Sequence, residues 1–131
     1  MDEKSVVIPK GMESYYQRFH FAPAVKDGNH LYCSGVIGTG ADGKPPADPE
    51  MQFTQAFESL QSVLKTAGVS FSEVIEMTTF HVGLQAHLPV FMKVKDRYMQ
   101  APYPAWTAIG ISELALPGGL VEIKVIARLS S

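Results

Sequence analysis

An amphipathic helix between Asp48 and Gly68 constrains the fold of this chain more than any other segment. Asp48 can cap the helix, Pro49 suits its first position and Gly68 suits its end. A helix with one apolar stripe has to pack on another apolar surface, so the rest of the chain must supply one. The stripe is formed by apolar residues spaced three and four positions apart: Phe53, Ala56, Phe57, Leu60, Val63, Leu64 and Ala67.

Strand patterns before and after this helix supply that surface. Runs rich in β-branched and aromatic residues are typical of strands, and Asp-Gly-Asn at 27–29 is a hairpin turn signal. Two helices are too few to cover both faces of the sheet, so we expect them on one face of a mixed sheet of the α+β class. The predicted order is β-β-β-α-β-α-β-β, with strands at about 6–8, 19–26, 30–37, 75–82, 106–111 and 120–128 and helices at about 49–68 and 88–99.

The last predicted strand has two different faces. One face is wholly apolar and is expected to lie under the helices, whereas the other mixes charged and apolar residues. A mixed face of this kind suits an interface between copies, so we expect a homo-oligomer. The apolar face carries Val121, Ile123, Val125 and Ala127, and the mixed face carries Leu120, Glu122, Lys124, Ile126 and Arg128.

Length and charge narrow the class of protein. At 131 residues, the chain is expected to be one domain over 1–131. Its 11 basic and 13 acidic residues give a net charge of −2 with no basic block, which counts against a nucleic-acid partner. We find no apolar run of about 18 residues and no signal peptide, so neither a membrane role nor export is expected. The single cysteine fits a reducing compartment, and we expect a cytoplasmic protein.

No metal or cofactor is expected. The Gly-rich stretch at 38–44 matches part of a phosphate-binding loop, but two prolines follow its lysine where a helix should begin. The four histidines lack metal-ligand spacing. Cys33 lies in an apolar strand, and two interpretations stay open: a small core residue or a nucleophile beside a histidine.

The pattern of apolar and charged residues indicates two candidate functional residues, Glu122 and Lys95. Glu122 lies inside a strand between Val121 and Ile123, where a buried carboxylate needs a partner or a function. Lys95 interrupts the apolar stripe of the second predicted helix. The alternatives are a surface ion pair for Glu122 and a snorkelling side chain for Lys95.

Three stretches in order resemble the Rid family, also called the YjgF family, and are most similar to its YjgH-like branch. They are LYCSGVIG at 31–38, AGVSFSEVIEMTTF at 67–80 and YPAWTAIGISELALPGGLVEIKVIAR at 103–128. The resemblance implies a chorismate-mutase-like fold and a homotrimer with small-molecule clefts between subunits. In the RidA branch these clefts hydrolyse enamines and imines derived from amino acids to 2-keto acids and ammonia. An older label for the family is endoribonuclease L-PSP.

The resemblance also carries a set of site residues. In RidA-like enzymes an arginine after Pro-Ala holds the substrate carboxylate through two hydrogen bonds, and here that position is Trp106. Glu122 matches a glutamate thought to position or activate water, which makes it the catalytic candidate. Ser34 and Gly35 match the family, whereas Phe21, Lys95 and Ala108 stand where RidA has tyrosine, asparagine and cysteine. The predicted binding residues are Phe21, Ser34, Gly35, Lys95, Trp106 and Ala108.

Trp106 decides between the possible functions. Indole has one N–H donor and no charge, so it cannot replace the arginine fork. We therefore expect a homotrimer that binds a small metabolite without efficient deamination of 2-imino acids. The alternatives are an imine or enamine hydrolase with Glu122 directing water, and RNA cleavage, against which the charge balance argues. Trp106 itself is expected either to offer a flat face to an aromatic or cationic ligand or to plug the cleft.

Overall fold

The computed structural model describes residues 5–129, which form one mixed sheet with helices packed on it. The strands are β1 (Ser5–Val7), β2 (Ala24–Asp27), β3 (His30–Cys33), β4 (Val36–Ile37), β5 (Val74–His81), β6 (Ala105–Gly110) and β7 (Val121–Arg128). The helices are α1 (Glu13–Gln17), α2 (Pro49–Thr66) and α3 (Leu84–Tyr98), and a short 3-10 turn spans Phe71–Glu73. No helix within residues 5–129 is both long and apolar enough to cross a membrane.

Strand β7 is the centre of the sheet. The strand order is β1-β2-β3-β7-β5-β6, and β4 also pairs with β7. Strands β5 and β6 run parallel, whereas the other pairs are antiparallel. This mixed sheet confirms the predicted α+β class.

The two long helices pack on one face of the sheet, as predicted. The helix stripe from Phe53 to Leu64 is completely buried, and it lies over the apolar face of β7, whose four residues are at most 1% exposed. Asp48 caps α2 by accepting a hydrogen bond from the N–H of Met51 over 2.9 Å. Because Phe91 and Val94 of α3 are also fully buried, the core lies between this face and the helices.

Three predicted boundaries were wrong. The second strand begins at Ala24 rather than at 19, because residues 13–17 form the short helix α1 and His20 then turns the chain at a φ of 61°. The predicted strand over 30–37 is broken at Ser34 and Gly35 into β3 and β4. Helix α3 begins at Leu84, four positions early, because Gly83 adopts a left-handed conformation that turns the chain into the helix.

Candidate functional site

A cleft of about 640 Å³ lies beside the break between β3 and β4. Four of the predicted site residues line it together: Phe21, Ser34, Gly35 and Glu122. A volume in this range suits a small molecule. The remaining lining residues are Met12, Tyr15, Phe19, Pro23, Val36, Ile37, Thr39, Ser59, Ala115 and Leu116.

Glu122 is the only charged residue of the cleft lining. It pairs in the sheet with Ile37 of β4 and Phe80 of β5, so it projects from the face opposite the helices. The two ion pairs among residues 5–129 both use Glu50, so Glu122 has no cationic partner among those residues. A half-buried carboxylate with apolar neighbours is available to a ligand.

Gly35 makes room for that carboxylate. A Cβ at position 35 would lie 2.7 Å from Cδ of Glu122 and closer still to Oε2. A contact this short would force the glutamate to move. The absence of a side chain at position 35 therefore leaves the space that Glu122 occupies.

Ser34 connects the strand break to the segment that carries the aromatic wall. Its hydroxyl donates to the carbonyl oxygen of Ala22 over 2.6 Å, and its N–H donates to the carbonyl oxygen of Pro23 over 2.9 Å. The hydroxyl proton is thus already used, and the serine oxygen can offer a ligand only its lone pairs.

Aromatic rings form one wall of the cleft. Tyr15 and Phe21 stack with ring centroids 5.4 Å apart, and Phe19 lies beside them with 61% of its surface exposed. The guanidinium of Arg18 lies 5.6 Å from the centroid of the Phe19 ring, but this arginine is exposed and does not line the cleft. The wall therefore offers apolar surface to a ligand and no positive charge.

Trp106 lies outside this cleft. In the parallel pairing of β5 and β6 it is the partner of Met77, which is buried under the helices. Its indole N–H donates to Oγ1 of Thr79 over 2.9 Å, and its ring packs 5.9 Å from that of Phe91. Within one chain the tryptophan packs on the side of the sheet that faces the helices, away from this cleft.

Lys95 and Ala108 lie with Trp106 rather than with Glu122. The ammonium of Lys95 is 5.0 Å from the ring centroid of Trp106 and 5.5 Å from that of Tyr103, and the lysine is only 6% exposed. Cation–π contacts of this kind hold the ammonium against the rings. The flat face of the indole is therefore already occupied by a cation of the same chain.

Besides Thr79, two buried polar residues of the described chain were not predicted. His81 Nε2 lies 2.7 Å from Thr79 Oγ1, which also accepts from Trp106. Burial, together with the charge of His87, lowers the pKa of His81. Alternation along β5 placed His81 on the core side, but its hydrogen-bonding partner depends on the fold.

Gln52 is the second unpredicted residue, and its side chain is fully buried. Its amide donates to the carbonyl oxygens of Pro46 and Gly118 over 3.0 Å each and accepts from the N–H of Leu120 over 2.6 Å. These bonds attach two loops to α2, and the loops carry three cleft residues: Thr39, Ala115 and Leu116. In the sequence, a glutamine next to an apolar stripe does not indicate that its side chain bonds to two loops.

Cys33 belongs to the core. It is 3% exposed, and burial raises the pKa of its thiol to about 12. The thiol is therefore protonated and unreactive at neutral pH, which disfavours a nucleophilic role. Within residues 5–129 there is also no cluster of three or more His, Cys, Asp or Glu side chains that could hold a metal ion.

The geometry defines a protein with an α+β fold and an apolar small-molecule cleft next to a single carboxylate, and comparison with known proteins gives its family. The family model described as Endoribonuclease L-PSP matches residues 13–129. The RutC family protein YjgH of Escherichia coli (strain K12) is 38% identical over 130 residues, which are 98% of each chain. The 2-iminobutanoate/2-iminopropanoate deaminase of Bos taurus is 34% identical over 113 residues, 82% of this chain and 78% of the other.

Solved structures agree with these sequence relatives. A structure described as protein YjgH matches with a TM-score of 0.89 and 37% identity over 99% of each chain. RidA from the Antarctic bacterium Psychrobacter sp. matches with a TM-score of 0.78 and 29% identity over 83% of this chain and 88% of that one. The chain belongs to the endoribonuclease L-PSP family, also called the Rid or YjgF family.

Proposed function

We propose that this chain is a cytoplasmic, homotrimeric small-molecule-binding protein of the Rid family that deaminates 2-imino acids poorly. The ligand occupies the cleft at Glu122, with Phe21, Ser34 and Gly35 around it. The observation that carries the proposal is the environment of Trp106, whose only donor is already bonded to Thr79.

The loss of the carboxylate clamp follows from this environment. A 2-imino acid is held in RidA-like enzymes by the two parallel hydrogen bonds that an arginine makes to its carboxylate. Trp106 has one N–H, and that N–H points to Thr79 within the chain. Lys95 is a point charge without the fork, and its ammonium is directed at two aromatic rings.

The placement of the site residues supports assembly into a trimer with clefts between subunits. Glu122 and Trp106 project from opposite faces of the sheet in one chain, so a complete family-type site needs a second copy. In that assembly Lys95, Trp106 and Ala108 of one subunit would border the cleft of its neighbour. Exposed apolar side chains on the sheet, including Tyr32 (45%) and Ile109 (40%), are consistent with such a contact.

A second candidate function is hydrolysis of an imine, enamine or related substrate without a carboxylate. The observation that favours it is the carboxylate of Glu122, which has no cationic partner within the described part of the chain and could direct a water molecule. RNA cleavage has no comparable support. The cleft is lined by apolar rings and one negative charge, neither of which attracts a phosphate backbone.

The test is the hydrolysis of 2-iminopropanoate and 2-iminobutanoate, generated in the assay and compared with an arginine-bearing relative. We expect slow turnover, and a rate near that of the relative would overturn the proposal. Glu122→Gln separates the two candidates: a residual rate that disappears in this variant favours the hydrolase. Sedimentation equilibrium tests the assembly, with the mass of three chains expected and a monomer as the contrary result.

A further inference from the structure

We infer that the ligand of this cleft is a monocation on an aromatic or otherwise apolar body, with its charged nitrogen at Glu122 and no carboxylate of its own. The inference rests on the proposed function, because it names the ligand class of the same cleft. It differs from the 2-imino acids of the deaminases in that the ligand has a net positive charge and no carboxylate.

The charge of the cleft wall favours a cation. Glu122 is the only charged lining residue, and neither ion pair among residues 5–129 neutralises it. A carboxylate in an apolar cleft gains most from a ligand of opposite charge, because low-polarity surroundings strengthen the attraction. A ligand carboxylate would meet repulsion there.

The two nearby cations do not change this balance. In the proposed trimer Lys95 borders the cleft of the neighbouring subunit, but its ammonium lies 5.0 Å from the ring centroid of Trp106 and 5.5 Å from that of Tyr103, and it would have to leave those rings to bind a ligand. Arg18 is exposed, its guanidinium lies 5.6 Å from the centroid of the Phe19 ring, and it is not a lining residue. Within residues 5–129, no positively charged side chain of the same chain lines the cleft, so a ligand anion has no cationic partner there.

One neutral polar group, the hydroxyl of Ser34, also favours a donor on the ligand. The hydroxyl of Ser34 already donates to Ala22, so its oxygen can only accept a hydrogen bond from the ligand. A protonated amine or iminium nitrogen has N–H groups for both Glu122 and Ser34, whereas a carboxylate has none.

The aromatic wall specifies the body of the ligand. Tyr15, Phe19 and Phe21 each expose at least 37% of their surface around the cleft. Rings in this arrangement bury a flat apolar group and also attract a cation through their faces. Together with the volume of about 640 Å³, this wall fits a molecule larger than the 2-imino acid of alanine.

The experiment compares four probes that share a phenyl ring and differ in charge: 2-phenylethylamine, 3-phenylpropanoate, 2-phenylethanol and phenylalanine. Binding is measured by calorimetry on the full chain at neutral pH. We expect the amine to bind at least about tenfold more tightly than the other three, which corresponds to ~1.4 kcal/mol. Because 2-phenylethanol differs from 2-phenylethylamine only in carrying an uncharged hydroxyl in place of the ammonium group, this comparison tests the effect of the charge without a protein variant.

Variants then assign the preference to the cleft. Glu122→Gln should abolish the advantage of the amine over the alcohol, whereas Asp96→Asn, which removes an exposed charge on α3, should leave it unchanged. Phe21→Ala should weaken the binding of both the amine and the alcohol.

The remaining outcomes contradict the inference in distinguishable ways. Tighter binding of 3-phenylpropanoate or phenylalanine, still weakened by Phe21→Ala, overturns the cationic class but keeps the cleft as a binding site. No binding of any probe at millimolar concentration overturns the ligand class. Fast hydrolysis of 2-iminopropanoate is a separate result, and it would contradict the proposed function.

Discussion

Trp106 and Glu122 project from opposite faces of the sheet. Trp106 pairs with the buried Met77, whereas Glu122 pairs with Phe80, three positions further along the same strand. Side chains three apart on a strand point to opposite sides. The carboxylate and the residue at the family's arginine position therefore cannot meet around one ligand in a single chain.

The bond between Trp106 and Thr79 should contribute to stability. Trp106→Phe removes the donor and is expected to lower the free energy of unfolding by about 1 kcal/mol. Thr79→Val should cost more, because it leaves both the indole N–H and His81 without their partner. Urea denaturation at fixed protein concentration, followed by circular dichroism, measures both. A Thr79→Val variant as stable as the native chain would contradict the role of this bond.

Gly35 should be essential for ligand binding because of its contact with Glu122. Gly35→Ala places a methyl group against the carboxylate and should weaken binding of 2-phenylethylamine by about tenfold or more. Gly40→Ala is the matched control, because a Cβ there meets its nearest atom at 3.4 Å. Equal affinities for the two variants in the same titration would show that the position of Glu122 is unimportant.

Cys33 should resist alkylation in the folded protein. Burial raises the pKa of its thiol to about 12, so almost no thiolate is present at pH 8. Iodoacetamide labelling followed by mass spectrometry should show no adduct on the native chain and one adduct after denaturation. Rapid labelling of the native protein would mean that the thiol is accessible and ionised.

His81 should make the protein less stable in acid. Its pKa in the folded chain is lowered from the ordinary value of 6.5, so below that pH the unfolded chain binds a proton that the folded chain refuses. The free energy of unfolding should fall as pH decreases from about 6.5 towards the folded pKa, with a slope of at most about 1.4 kcal/mol per pH unit from this residue. His81→Gln should reduce that slope, as measured by urea denaturation between pH 7 and 5. Identical slopes would exclude His81 as the source.

The sequence predicted best what depends on local pattern. The apolar stripe of α2 and the alternation of β7 were both confirmed. An element that buries one face has apolar residues at regular spacing, and this spacing can be read from that segment alone. Helix α1 was missed because none of its five residues is buried, so no repeat of apolar residues marks it in the sequence.

The site depended on contacts that no local pattern records. The need for a glycine at position 35 follows from the space that Glu122 occupies, although the glutamate lies almost ninety positions away in the chain. The separation of Trp106 from the cleft follows from the register of β6 against β5. A resemblance assigns residues to a site, but it does not reveal which of them one chain brings together.

We propose that this member of the family lacks the carboxylate clamp because Trp106 stands at the arginine position. The most direct test is kcat/KM for 2-iminopropanoate, measured side by side for this chain and an arginine-bearing relative. A lost buried ion pair worth about 2–5 kcal/mol predicts a value roughly thirtyfold to several thousandfold lower for this chain. A value equal to that of the relative would contradict the account.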